Sequence, residues 1–149
     1  MSTSETNATP DVQAAPVKAC SILLVDDFQD GLEMYEEYLA YRGFRVLAAR
    51  DGEEAVTLAR RHRPDVILLD LRMPGLTGTE TMQILRADPS FVNTPIIALT
   101  AHAMDAERSR ALAAGFDQLI AKPCLPDALV EAVERILSTR APASGMSAE

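Results

Sequence analysis

Residues 65–70 read DVILLD, a short apolar run followed directly by an acidic residue. A run of this length that is apolar nearly throughout is typical of a strand in the middle of a parallel sheet, where helices cover both faces. We therefore predict a strand over 65–69, with Asp70 just beyond its carboxyl end.

Similar runs lie on either side, separated by segments of helical period. The predicted strands are 21–25, 44–49, 65–69, 95–99 and 116–121. The predicted helices are 31–41, 53–62, 79–86, 103–114 and 126–137. Five βα units joined by right-handed crossovers favour an α/β fold, with a doubly wound five-stranded parallel sheet of order 2-1-3-4-5.

Length and composition place one folded domain between two polar ends. The chain has 149 residues, the size of a single domain. Residues 1–18 and 139–149 lack an apolar period and are rich in small and polar residues, which is typical of disordered tails. We predict one domain over 19–138 and expect no effector domain after Leu137.

Charge and hydropathy narrow the functional classes. Lys and Arg total 14 against 22 Asp and Glu, a net charge of −8. Direct DNA binding and attachment to an anionic membrane are not expected, since both depend on a basic surface. No apolar run is long enough for membrane insertion, and the N-terminus lacks a signal-peptide pattern, so the expected location is the cytoplasm.

Polar side chains follow the predicted strands at the points where they end. Asp26 and Asp27 follow the first strand, Asp70 the third, Thr100 the fourth and Lys122 the fifth. Ligands of open parallel sheets bind outside the carboxyl ends of the strands. We therefore expect these five side chains to line one crevice.

Three carboxylates in one crevice repel one another, so they must either raise a pKa or recruit a cation. Mg²⁺ suits such a site because it binds through one or two carboxylates, a phosphate and several waters; Mn²⁺ is an alternative. We predict Asp27 and Asp70 as direct ligands and Asp26 as a ligand through water. Lys122 would then attract the oxygens of a phosphoryl group by its positive charge, and the Thr100 hydroxyl would donate a hydrogen bond to the same group.

Each feature taken singly has a plainer interpretation. An Asp-Asp pair after a strand is often a helix N-cap, and Asp70 with the residues up to Gly75 can form a polar turn. A strand-terminal threonine or a Lys-Pro loop usually has no function. Their joint placement on four adjacent strands is what favours a functional site.

Four motifs together point to a known family: VDD at 25–27, LLDLRMPGLTG at 68–78, ALTA at 98–101 and AKP at 121–123. The sequence, over about residues 21–138, resembles the receiver domain of two-component response regulators. The resemblance implies the flavodoxin-like (βα)5 receiver fold. It also implies Mg²⁺-dependent phosphorylation of the aspartate after strand 3 by a histidine kinase or a histidine phosphotransfer protein.

The family's functional positions transfer one by one. Asp70 matches the phosphoacceptor, and the Lys122-Pro123 bond is similar to one that is cis in the family. The remaining matches are the acidic pair Asp26 and Asp27, the switch hydroxyl of Thr100, the lysine Lys122, and the backbone carbonyl of Arg72 as a third protein ligand to the metal.

Three positions flank the expected site without a settled role. Leu119 stands where the family usually has a switch tyrosine or phenylalanine, so this chain has no aromatic ring there to couple to Thr100. We expect the position to border a partly exposed face, and its plainer interpretation is an apolar residue that ends the fifth strand. Arg72 and His102 match positions that tune the lifetime of the phosphoryl group in the family. Solvated side chains are the plainer interpretation of both.

The functional prediction is a stand-alone receiver that accepts a phosphoryl group on Asp70 and signals by contact with a downstream protein. We expect no enzymatic activity beyond catalysis of its own phosphorylation and dephosphorylation. A phosphate shuttle or sink in a phosphorelay is the alternative. A haloacid dehalogenase-like phosphohydrolase is more distant, because its signature places a second acid where this chain has Arg72. The acidic first helix is the expected contact for the kinase.

Overall fold

A computed structural model describes the backbone of residues 20–146 and the side chains of residues 20–139. The predicted N-terminal tail, 1–18, lies outside the described residues. Within them, no helix combines the length and apolar character that crossing a membrane requires.

Five parallel strands form one sheet of order β2-β1-β3-β4-β5, so the predicted fold class and strand order are confirmed. The strands are β1 (Ser21–Val25), β2 (Arg45–Ala49), β3 (Val66–Asp70), β4 (Ile96–Thr100) and β5 (Gln118–Ala121). Strands β3 and β4 are buried at every residue and β1 at every residue after its first, as expected for strands covered on both faces.

The register brings the polar residues after the strands together. Val25 pairs with Leu69, so Asp26, one residue on, lies next to Asp70. Thr100 pairs with Ala121, which places Lys122 just past the end of β4. The two acidic positions and the lysine therefore share one edge of the sheet.

Five α-helices alternate with the strands, and a 3₁₀ turn over Pro89–Phe91 precedes β4. The helices are α1 (Gln29–Tyr41), α2 (Gly52–His62), α3 (Gly78–Arg86), α4 (Asp105–Ala114) and α5 (Pro126–Met146). Helix α5 corrects two expectations: it does not end at Leu137, and the stretch from Thr139 begins as helix. The Thr139 hydroxyl donates a hydrogen bond to the carbonyl of Arg135, one turn earlier in the same helix. A polar residue can form this bond within a helix without ending it.

The core lies in two layers, one on each face of the sheet. Alternate residues of β1 show this, since Leu23 and Val25 join one cluster while Ile22 and Leu24 join the other. The first cluster packs under α2, α3 and α4, and the second under α1 and α5. Helices on both faces complete the doubly wound architecture.

Candidate functional site

Three strands end in the same local turn at this edge of the sheet. A side-chain oxygen of the last or next residue accepts a hydrogen bond from the backbone N–H two residues on: Asp26 from Phe28 (3.0 Å), Asp70 from Arg72 (3.1 Å) and Thr100 from His102 (3.0 Å). Aspartate and threonine favour such turns because their short side chains reach the neighbouring backbone. The sequence thus fixes the orientation of these three side chains locally.

The three predicted carboxylates do gather. One oxygen each from Asp26, Asp27 and Asp70 lies within 4.8 Å of the other two. Asp26 and Asp70 are 1% and 6% exposed, whereas Asp27 faces solvent. A set of oxygen donors with one open side is able to hold a hard divalent cation that keeps some of its waters.

Lys122 bridges the two buried carboxylates. Its Nζ lies 2.9 Å from Oδ2 of Asp26 and 3.5 Å from Oδ2 of Asp70. The backbone N–H of Lys122 donates to the carbonyl of Thr100 at 2.7 Å, which joins the lysine to the end of β4. The peptide bond from Lys122 to Pro123 is cis, as the resemblance implied.

Burial sets the electrostatics of the pair. Removal from water raises the pKa of Asp70 to about 6; the Arg72 N–H and the Lys122 charge oppose this shift, and the nearby Asp26 adds to it. Burial by itself would lower the pKa of Lys122, but the hydrogen bond to Asp26 and the charge of Asp70 outweigh it and leave the pKa raised. The ammonium therefore stays charged between two acidic groups.

Arg72 and His102 place their backbone at the site but turn their side chains to solvent. Both residues are exposed, and the bonds to Asp70 and Thr100 come from their main-chain N–H groups. The structure therefore brings the backbone of Arg72 to the acidic cluster and leaves both side chains at the rim.

Leu119 is not at a partly exposed face, which corrects the expectation. The residue is 2% exposed and belongs to the cluster that contains Met82, Ala111 and Phe116. Helix α4 covers this part of β5, and Arg108 of that helix donates a hydrogen bond to the Leu119 carbonyl at 3.0 Å. This apolar side chain of an edge strand is buried because α4 packs against it.

Gly78 is a positioning residue that the motifs and their spacing did not single out. A Cβ at this position would lie 2.2 Å from the carbonyl oxygen of Asp70 and 2.7 Å from Cα of Leu71. Only glycine therefore lets α3 start against the backbone of the central acid. The LLDLRMPGLTG motif at 68–78 ends at this glycine and so contained the signal.

A capping box fixes the same helix end. The Thr77 hydroxyl accepts from the N–H of Glu80 at 3.1 Å, and the Glu80 carboxylate accepts from the N–H of Thr77 at 2.9 Å. Helix α3 thus begins at a defined residue next to the site.

Comparison with known proteins gives one family throughout. A profile of the response regulator receiver domain matches residues 22–134. The polar-differentiation response regulator DivK of Brucella anthropi is 32% identical over 117 residues, which span 78% of this chain and 95% of DivK.

Two solved structures show the same fold at similar identity. The chemotaxis response regulator CheY4 of Vibrio cholerae has a TM-score of 0.77 at 31% identity, covering 80% of this chain and 99% of that one. The receiver domain of the sensor histidine kinase PA1611 from Pseudomonas aeruginosa PAO1, solved with a magnesium ion in its active site cleft, has a TM-score of 0.75 at 36% identity, covering 81% and 99%. This chain therefore belongs to the response regulator receiver domain family.

Proposed function

We propose that Asp70 accepts a phosphoryl group, in the presence of Mg²⁺, from the phosphohistidine of a histidine kinase or a histidine phosphotransfer protein. The phosphorylated chain then signals through altered contact with a downstream protein. The observation that carries this proposal is the placement of the buried Asp70 carboxylate beside two further carboxylates and the Lys122 ammonium. The acidic exposed residues of α1, Asp30, Glu33 and Glu37, are the proposed kinase contact.

The oxygen donors fit a divalent cation, with different roles for the acidic pair. Both oxygens of Asp26 already have partners, the N–H of Phe28 and the Lys122 ammonium. Asp27 is exposed and has no hydrogen bond within the described residues. We therefore assign direct coordination to Asp27 and coordination through water to Asp26. Asp70 and the Arg72 carbonyl are the further direct ligands that membership of the receiver family implies.

The bound cation would supply positive charge that offsets the charge developing on the phosphoryl oxygens, and Mn²⁺ suits the same donors. Oδ1 of Asp70 accepts the hydrogen bond from the Arg72 N–H, and Oδ2 has only the longer contact of 3.5 Å with the Lys122 ammonium. This oxygen forms the bond to phosphorus, while the phosphorus–nitrogen bond of the donor breaks and its electron pair stays on the imidazole. The product is an acyl phosphate.

Lys122 and Thr100 are suited to receive the phosphoryl oxygens. Lys122 already lies 3.5 Å from Asp70, so a group attached there meets its charge. The Thr100 hydroxyl accepts a hydrogen bond from His102, which leaves its own proton available for donation. Both residues therefore favour the phosphorylated state.

Labelling with acetyl phosphate and Mg²⁺ tests the acceptor. The wild-type chain is expected to gain one phosphoryl group, measured by intact-protein mass spectrometry, and Asp70→Asn is expected to gain none. Asp30→Asn, the same change at an exposed position of α1, serves as the control and should label normally. Full labelling of Asp70→Asn would refute the assignment.

A Mg²⁺ titration tests the two roles of the acidic pair. Asp27→Ala should weaken Mg²⁺ binding more than Asp26→Ala, because direct coordination is lost in the first and a water-mediated contact in the second. The reverse order would exchange the roles.

The alternatives differ in measurable ways. A shuttle or sink returns its phosphoryl group to a histidine, so the decay of phosphorylated Asp70 with and without a phosphotransfer protein distinguishes it from a terminal switch. In the same assay, Arg72→Ala or His102→Ala should change the decay rate if these side chains tune it. The phosphohydrolase alternative has lost its support, because the chain belongs to the receiver family and position 72 holds an arginine.

A further inference from the structure

Tyr35 is a buried polar group with no part in the site described so far. It lies in the middle of α1, is 4% exposed and packs in the cluster shared by α1 and α5. A buried hydroxyl needs a hydrogen-bond partner, and the identity of that partner shows which part of the chain the hydroxyl holds in place.

The partner of the Tyr35 hydroxyl is the backbone of Cys124. The hydroxyl donates to the Cys124 carbonyl at 2.8 Å and accepts from the Cys124 N–H at 3.4 Å, and the sulfur lies 3.6 Å away. One side-chain atom thus meets both polar groups of a single residue in the loop between β5 and α5. Burial and the nearby Cys124 thiol raise the pKa of Tyr35 to about 12, although the hydrogen bond to the Cys124 backbone opposes this shift, so the hydroxyl stays protonated as a donor.

This loop carries Lys122 two residues before Cys124. On the near side, the Lys122 N–H bonds the Thr100 carbonyl at 2.7 Å. On the far side, the backbone is held by Tyr35. The lysine therefore extends from a short segment anchored at each end.

The second anchor connects the lysine to the element that carries its partner. Helix α1 begins three residues after Asp26, and the Lys122 ammonium lies 2.9 Å from Asp26. The contact from α1 to Cys124 thus closes a ring of interactions through the acid, the lysine, the loop and the helix.

We propose that Tyr35 is a positioning residue for Lys122. By holding the Cys124 backbone, its hydroxyl sets the place of the ammonium relative to Asp26 and Asp70. The consequence for phosphoryl transfer rests on the proposed function, whereas the consequence for the position of the lysine does not.

Tyr35→Phe is the test variant, because it keeps the ring in the core and removes only the hydroxyl. Tyr41→Phe is the matched control, since it makes the same change on the same helix at a residue that is 82% exposed. With acetyl phosphate and saturating Mg²⁺, the phosphorylation rate of Tyr35→Phe should fall by about three- to tenfold, the effect of one lost hydrogen bond. Mg²⁺ affinity should stay within about twofold of wild type, because the direct ligands lie outside the loop.

A double-mutant cycle separates positioning from general support. In a Lys122→Met background, Tyr35→Phe should change the rate by less than about twofold, because the group it positions is gone. Equal loss in both backgrounds, or an unchanged rate in Tyr35→Phe alone, would overturn the proposal.

A measurement on the resting protein tests the position of the lysine without phosphorylation. Side-chain NMR signals of Lys122 should shift in Tyr35→Phe and stay in place in Tyr41→Phe. Unshifted Lys122 signals in Tyr35→Phe would overturn the proposal even if the wild-type chain accepts a phosphoryl group as proposed. A chain that accepts no phosphoryl group but shows the shift would refute the proposed function alone.

Discussion

Helices α3 and α4 follow neighbouring strands that end in the same kind of turn, yet they are attached very differently. Helix α3 begins with a complete capping box and buries four residues: Gly78, Thr81, Met82 and Leu85. Helix α4 begins at Asp105, the N-cap residue before it, Met104, provides no side-chain cap, and the one buried residue of the helix is Ala111. The element after Asp70 is therefore tightly held, and the element after Thr100 loosely held.

This difference shows where a change at the site can spread. Segments with few buried contacts open at lower free energy than well-packed ones. A phosphoryl group that is bonded to Asp70 and hydrogen-bonded to Thr100 would act on two strand ends. The helix after Asp70, α3, is well packed and capped, whereas the helix after Thr100, α4, has few buried residues. We therefore expect α4, rather than α3, to carry the conformational response.

The largest expected effect comes from the close contact under α3. Gly78→Ala would place a methyl group against the Asp70 backbone and should lower the free energy of unfolding by about 3 kcal/mol, measured by urea denaturation. Thr79→Ala, one residue further along the same helix, is the control and should cost less. Equal losses would show that α3 moves away freely, and the contrast with α4 would fail.

The second largest effect concerns the charge of Asp70, which distinguishes the end of β3 from the end of β4. Without divalent cations, Asp70→Asn should raise the free energy of unfolding at pH 7 by about 1 to 2 kcal/mol, because it removes a buried carboxylate whose pKa is raised. Protons bind the folded state more tightly than the unfolded state, so wild-type stability from this group falls as pH rises from 3.8 to about 6.

Thr100→Val is the comparison at the other strand end, and it should leave this pH dependence unchanged since a hydroxyl does not titrate in that range. Denaturation curves at several pH values measure both. A fall in stability in Asp70→Asn would show that the carboxylate is satisfied in the resting fold.

Removal of the cap on α3 should have a smaller effect. Thr77→Ala eliminates one half of the capping box and should destabilise the protein by about 1 kcal/mol, measured by thermal unfolding. A change below the error of the measurement would mean that packing alone holds this helix.

The smallest effect is a gain on the weak side. Met104→Ser introduces a capping side chain at a residue whose backbone is already extended and which is 74% exposed. It should stabilise the protein by about 0.5 kcal/mol. Amide hydrogen exchange over 105–114 should slow, with exchange over 78–86 as the control. Unchanged exchange in α4 would show that its N-terminus is already well held.

Local pattern was enough to predict the sheet and the gathering of the acidic residues. Strand β1 begins and ends where its apolar run does, and Asp26, Asp27 and Asp70 meet because parallel strands share one edge. Asp70 itself proved to be the last residue of its strand, since it pairs with Leu99 of β4.

The sequence did not predict the burial or the hydrogen-bond partners of residues whose contacts come from distant parts of the chain. Leu119 is buried because α4 crosses the strand that carries it, and Tyr35 matters because its hydroxyl meets a residue 89 positions away. Periodicity places both residues in the core or near it, but it does not show which neighbour covers them. The start of α4 was predicted two residues early for the related reason that no capping residue marks it.

Arg86 lies at the opposite end of the sheet and gives α4 a pivot. Its guanidinium donates to the carbonyls of Phe91, Thr94 and Gly115 and pairs with Asp117 at 2.7 Å. Gly115 ends α4, so the helix is clamped at its C-terminus, whereas its first turn has no side-chain cap and no buried residue and is joined to β5 by the Arg108 hydrogen bond to the Leu119 carbonyl. A helix that is fixed at one end rotates about that end and does not translate along its axis. The response of α4 should therefore be a tilt whose amplitude grows from Ala114 toward Asp105, so that a small displacement near Thr100 becomes a rotation of the surface that a partner meets.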